Sequence, residues 1–286
     1  IAAVIPMFGE PLGKLAYGIA LALFVAAVII GGIKRIGKVA GYIVPIMCGV
    51  YVLAGMAVIL VNAGEIGSAF GKIFGEAFTP NAVGGGFLGV LMIGFQRAAF
   101  SNEAGVGSAS IAHSAASTDE PVREGIVALL EPFIDTIIVC TMTGLVVVIT
   151  GAYTSGLEGV EMTSMAFNTV LPGFKYILTA AVVLFAFSTM ISWSYYGERC
   201  WAYLFGTGTS MIYKVIFLIF VVLGAMLELG NVITFSDLMV LGMAFPNILG
   251  MYFLSGKVKR AFDDYWGRLK SGEIKTLADQ DIPSEP

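Results

Sequence analysis

The run Phe95-Gln-Arg-Ala-Ala-Phe-Ser-Asn-Glu-Ala-Gly-Val-Gly107 sets Arg97, Ser101, Asn102 and Glu103 inside a segment otherwise apolar enough to lie in a bilayer. The apolar run Gly86 to Gly94 precedes it and the small-residue run Ser108 to Ala116 follows, so the piece can cross ~30 Å of hydrocarbon with its polar centre at depth. Ionisable groups there are costly and mark a site by default. Gly105 and Gly107 beside Ser and Asn predict a discontinuous helix, broken between about Gly94 and Gly107. N–H groups opening the second half-helix would suit a carboxylate, and carbonyls closing the first would suit an ammonium group or a cation. Gly94, Phe95, Gln96, Phe100, Ser101 and Asn102 are therefore candidate contacts of a small charged solute.

A second constellation is Phe185-Ala-Phe-Ser-Thr-Met-Ile-Ser-Trp-Ser-Tyr-Tyr-Gly197. On a helix Ser188 lies four residues from Ser192, and Thr189 four from Trp193, so three hydroxyls and an indole share one broad face. Hydroxyls in membrane helices also bond back to their own backbone, which is the structural alternative for each. As a cluster with carbonyl oxygens, Phe185, Ser188, Thr189 and Ser192 have the hard-oxygen chemistry that sodium takes. Thr189 and Trp193 join the candidate substrate contacts, the indole face capping a small apolar side chain.

Glu131 and Asp135 stand four apart in another span and, with Arg97 and Glu103, form a set of embedded charges that should pair, as gating or structural groups. An Arg97–Glu103 pair would itself require the helix break, because six residues put the two on different faces. His113, the single histidine, sits among Ser110, Ser114 and Ser117; a hydrogen-bonded packing role is the primary reading and a proton relay the alternative. Cys48, Cys140 and Cys200 lack metal spacing and read as packing residues, and no cofactor motif is present.

The elements that must position these groups are membrane helices. With 57% hydrophobic residues, 13% charged residues and a mean hydropathy of +0.88 over 286 residues, the composition is that of an all-α polytopic membrane protein and leaves no room for a large water-exposed domain. Seven stretches have spanning length: Leu15–Ile33, Val39–Val61, Gly86–Ala116, Gly125–Thr150, Tyr176–Leu204, Met211–Leu229 and Phe235–Leu254. Residues 1–254 thus form a transmembrane bundle and 255–286 a tail. Lys34, Arg35 and Lys38 in a loop, with Arg123, Arg199, Lys214 and the basic tail, fall on one side; Lys14, Lys72 and Lys175 fall on the other. The positive-inside rule then puts the C-terminus in the cytoplasm of a multi-pass plasma-membrane protein. The net charge of −4 says nothing about orientation.

Glu65 to Pro80 has the pattern of a short interfacial helix, 151–173 reads as an outer loop, and Lys257 opens an amphipathic helix that gives way to an acidic, disordered end after Thr276. Pro45, Pro132 and Pro246 should kink or break their helices, with Asn247 placed to re-satisfy freed backbone. The chain opens on Ile1 and has an odd number of spans, so a repeat-built protein would need further helices upstream.

The run Phe100-Ser-Asn-Glu-Ala-Gly-Val-Gly-Ser-Ala-Ser-Ile-Ala-His-Ser-Ala-Ala116, with Thr118-Asp-Glu-Pro-Val-Arg123, Glu131-Pro-Phe-Ile-Asp135 and the Phe185–Arg199 run, closely resembles the signature of the alanine or glycine:cation symporter family. The resemblance extends from about Leu15 to Leu254. It implies membership of the amino acid–polyamine–organocation superfamily and the LeuT-type inverted-repeat fold, the seven spans being core helices four to ten and the missing N-terminal helices of the same protein completing it. Asn102–Val106 would lie in the broken sixth helix, Ser188 and Thr189 would match the hydroxyl ligands of the sodium site, and Trp193 would line the pocket. The implied function is sodium-coupled symport of alanine or glycine by alternating access, with sodium as coupling ion, the lipid bilayer as surroundings and no nucleic-acid partner. An ion channel is the alternative; it predicts a continuous polar pore and a repeated filter motif, which the sequence lacks. An intramembrane enzyme would need a nucleophile beside a base, and His113 has no such setting.

Overall fold

The computed structural model describes residues 9–77, 87–227 and 229–274, and every regular element among them is helical. Helix α1 (Pro11–Ile29) opens with proline at its first position, where the missing N–H costs nothing. Its Gly18 lets α1 press on α9 (Ser210–Met226): a Cβ there would come within 3.0 Å of the Ala225 Cβ and 3.2 Å of the Val222 carbonyl. Helix α2 (Gly32–Val61) starts two residues after the α1 cap. Lys34, Arg35 and Lys38, expected in a loop, form its first turns. At 30 residues it is about 45 Å long, so a basic end can reach beyond the hydrocarbon while the rest crosses it.

A 3-10 turn (Ala63–Glu65) leads into α3 (Ile66–Ala77), which realises the short helix expected after the second span; Phe78 to Pro80 lie outside the described residues. The stretch expected as the third span is two helices, α4 (Phe87–Asn102) and α5 (Ser108–His113), its first residue Gly86 falling outside the description. Helix α6 (Pro121–Ile149) is composite, changing at Pro132 to a π-helix over Phe133–Cys140 and returning to α geometry at Thr141. Its proline, expected to kink or break the helix, marks that change of winding. Pro45 and Pro246 lie inside helices that continue through them.

The segment 151–173, expected as an outer loop, contains α7 (Gly159–Val170), and Ala166 and Phe167 on it are fully buried. Met162, Ala166, Phe167 and Val170 recur at helical spacing among the Ser, Thr and Glu residues, and burial of that stripe overrides the polar composition. Helix α8 (Phe174–Phe205) joins two cores. Toward one end, Leu178 meets Tyr51, Val58, Val146 and Phe167; toward the other, Ile191 and Tyr195 meet Val25, Ile29 and Ile36. Helix α10 (Leu229–Lys270) runs unbroken for 42 residues, about 63 Å, from the last span into the amphipathic segment. Residues beyond 274, including the acidic end, are outside the description.

Six of the described helices are long and apolar enough to cross a membrane, and the α4–α5 pair occupies the seventh expected place. Large apolar side chains cover their outer surface, as a lipid-facing bundle requires. Contacts between helix ends agree with alternating direction. Arg268, near the end of α10, donates to both Glu120 oxygens at 2.7 and 2.9 Å beside the start of α6, and Lys214 of α9 lies 3.3 Å from Glu198 of α8. On the opposite side Lys72 of α3 donates to Tyr153. The guanidinium bonded to it holds the Glu120 carboxyl below the usual carboxylate range, and the bond to the Tyr153 hydroxyl raises the Lys72 ammonium above its own.

Candidate functional site

Helix α4 ends at Asn102, whose side chain stops it. The Asn102 Oδ1 accepts the Ala104 N–H at 3.0 Å, an Asx turn that competes with helical hydrogen bonding, and its Nδ2–H donates to the Thr136 hydroxyl at 2.7 Å. The chain then reverses hand. Glu103 has φ +55°, Gly105 +82° and Gly107 +107° before α5 begins at Ser108. Glycine takes such angles freely, whereas for glutamate they are uncommon and held by the surroundings. The Val106 N–H returns to the Glu103 carbonyl at 3.1 Å and closes the turn.

Three other helices fasten this break. From α8, the Trp193 indole N–H donates to the Glu103 carboxylate at 2.7 Å. From α10, the Asn247 amide donates to the Gly105 carbonyl at 2.9 Å. From the π segment of α6, Asp135 accepts from Ser101, and Thr136 accepts from Asn102. A π turn carries an extra residue, which is how adjacent positions 135 and 136 both come to serve α4. Val106 and Ser108 are buried at the break, and the Ser108 hydroxyl has no hydrogen-bond partner among the described residues.

The expected break is therefore present and narrower than its bounds, at 103–107. Ser101, Asn102 and Trp193 meet there. Phe100 lies one turn earlier under the Arg97 guanidinium, 5.1 Å from its ring centre. Gly94, Phe95 and Gln96 are in continuous α4, roughly 10 Å or more along the helix from Glu103; Gly94 and Phe95 are exposed and Gln96 half-buried. The hydroxyl cluster divides. Ser188 is buried, donates to the Phe185 carbonyl at 2.9 Å and faces the Met47 sulfur, whereas Thr189 is exposed and Ser192 half-buried.

The embedded charges pair differently from the sequence expectation. Arg97 and Glu103 do not meet, because α4 stays helical to Asn102 and keeps them on different faces. Arg97 binds Asp237 of α10 at 2.5 Å and Glu103 takes Trp193. Asp237 carries its own signal, an ionisable residue inside the last span, and Thr136 becomes legible only once the π turn is known. His113 is hydrogen-bonded, as expected, but its partners are carboxylates of α6 rather than the serines around it. Its Nδ1 is 2.7 Å from Glu124 and its Nε2 3.8 Å from Glu131, while Ser110 and Ser114 bond back to the α5 backbone. Beside α5 a cavity of about 550 Å³ is lined by Ser110, Ser114, Tyr195 and Arg199.

The described residues thus form a helical membrane bundle with a polar, left-handed break between two helices, held from three neighbours. The chain belongs to the sodium:alanine symporter family, whose model it matches over residues 2–279. It is 45% identical over 246 residues to the sodium/alanine symporter AgcS of Methanococcus maripaludis, covering 84% of this chain and 54% of that one. It is 32% identical to the sodium/proton-dependent alanine carrier protein of Bacillus sp. strain PS3, covering 93% and 64%, and 32% identical to the probable sodium/glutamine symporter GlnT of Bacillus subtilis, covering 91% and 55%. The chain thus spans between 54% and 64% of the length of these relatives.

Proposed function

We propose that this chain carries the core helices four to ten of a LeuT-type, sodium-coupled symporter for a small neutral amino acid, alanine or glycine, working by alternating access in the plasma membrane with its C-terminus in the cytoplasm. The observation that carries the reading is the junction of Trp193 with Glu103, which brings an indole to the edge of a left-handed helix break. Carbonyls and N–H groups there suit a zwitterion, and an indole at its side sets a volume limit for the side chain. The relatives' names include both alanine and glutamine, so volume at that wall is the natural selector.

Sodium is assigned to the oxygens of Phe185, Ser188, Thr189 and Ser192. The metal-ligating clusters of carboxylate, thiol and imidazole that a transition metal needs do not occur among the described residues, and sodium needs none of them. Binding of sodium and substrate to the same conformational state would couple their affinities. Arg97, Glu103, Glu131 and Asp135 serve as gating or structural charges around the path.

The test is uptake of labelled alanine into vesicles holding the protein, with and without a sodium gradient. Accumulation that needs sodium is expected. Thr189→Ala should raise the sodium concentration for half-maximal uptake by the equivalent of about 1–3 kcal/mol, the loss of one oxygen ligand. Trp193→Ala should weaken alanine uptake and admit larger side chains. Equilibration without accumulation would indicate a channel and end the symport reading.

A further inference from the structure

Asn247 spends its side chain outside its own helix. Pro246 has no N–H, so the carbonyl four residues earlier, Gly242, loses its helical donor. The adjacent asparagine is the expected remedy. Instead its Nδ2–H reaches α4–α5 and donates to the Gly105 carbonyl at 2.9 Å. Its Oδ1 covers the second glycine so closely that a Cβ on Gly107 would sit 3.2 Å away, and Ile248 flanks Gly105.

One peptide group explains why this matters. The carbonyl of Gly105 and the N–H of Val106 belong to the same plane; the first is held by Asn247 and the second by the Glu103 carbonyl at 3.1 Å. Gly105, at φ +82°, has no side chain to fix that plane by itself. With the outer bond lost, the plane can rotate, and with it the direction of the neighbouring N–H and C=O groups. We infer that Asn247 is a positioning residue for substrate binding: from α10 it sets the orientation of the backbone groups at the break without itself facing the substrate. This rests on the reading of the break as the substrate site. The role needs an amide donor, since aspartate has the shape without the donor and leucine the volume without either polar group.

The experiment compares Asn247→Leu, Asn247→Asp and Asn247→Gln in the purified protein and in vesicles. Hydrogen exchange at Val106 should quicken about tenfold or more in the first two, as for one lost buried hydrogen bond, with exchange in α10 on either side unchanged. In uptake, the apparent KM for alanine should rise about tenfold while the maximal rate stays within about twofold. Asn247→Gln keeps the donor and should recover most of both effects. Unaltered exchange at Val106 in Asn247→Leu or Asn247→Asp overturns the proposal, and so does faster exchange with an unmoved KM. If the unmutated protein shows no sodium-dependent uptake, the substrate-site reading fails by itself, and the exchange measurement still decides whether Asn247 holds the peptide.

Discussion

The break at 103–107 and the hydroxyl cluster on α8 both place polar groups within membrane helices, and they satisfy them in opposite ways. On α8, Ser188 and the neighbouring Ser194 donate to carbonyls three residues back, at 2.9 and 2.8 Å, so these two hydroxyls are satisfied within their own helix. At the break, Asn102, Glu103 and Gly105 find partners on α6, α8 and α10, and none of these bonds survives unless the three neighbours are in place. Local satisfaction leaves a hydroxyl oxygen with a spare lone pair and a fixed helix. Tertiary satisfaction makes the backbone conformation itself conditional on packing.

The sharpest way to break this contrast is Gly107→Ala. It combines a left-handed angle with a Cβ pressed on Asn247, and a loss of about 3 kcal/mol is expected, read as a lowered midpoint in denaturant titration of the detergent-solubilised protein. A midpoint equal to the parent's would mean the break tolerates ordinary helical residues. Next, Asp237→Leu strands Arg97 and should cost about 2 kcal/mol, less than for a fully buried pair because the Arg97 side chain is 47% exposed. Adding Arg97→Leu should return most of that loss, and a double variant no better than the single one would show that the pair is not the reason.

Trp193→Phe removes one bond to a carboxylate and should cost about 1.5 kcal/mol, against about 0.5 kcal/mol or less for Ser188→Ala, in the same titration. Equal losses would erase the distinction between tertiary and local satisfaction. The smallest effect lies at the tail. Because the Glu120 carboxyl is held below its usual range by Arg268, the stabilisation is present above the unfolded carboxylate value and fades only as pH falls through the lowered one. Hydrogen exchange near Arg268 should therefore stay slow through mild acidification and quicken below it. Glu120→Gln should exchange quickly at every pH; a pH response that persists in that variant would assign the effect to another group.

Much of this fold is legible in the sequence because the bilayer imposes a length and an apolar requirement on each crossing, so Leu15–Ile33 or Tyr176–Leu204 announce themselves within a few residues. The break was legible too, since Asn102 and two nearby glycines carry local turn chemistry. What was not legible depends on winding and on partners distant in the chain. Nothing in Phe133–Cys140 signals a π turn, and without it Thr136 does not reach Asn102. The partnership of Arg97 with Asp237 spans 140 residues and depends on which helices are neighbours. Helix α7 hid behind its polar composition until the fully buried Phe167 showed its apolar stripe.

The π segment of α6 also fixes a phase relation. Each α-helical residue turns the chain by about 100°, so one surplus residue between Pro132 and Thr141 rotates everything before it by roughly that angle relative to everything after it. Thr143, bonded to Tyr51 at 2.7 Å, belongs to the trailing half; Glu124 and Glu131, against His113, belong to the leading half. Deleting a single residue here would keep a helix of nearly the same length and hydropathy. It would also swing two carboxylates away from the histidine they face, so the angular setting of α6 is stored in a count of residues rather than in any one side chain.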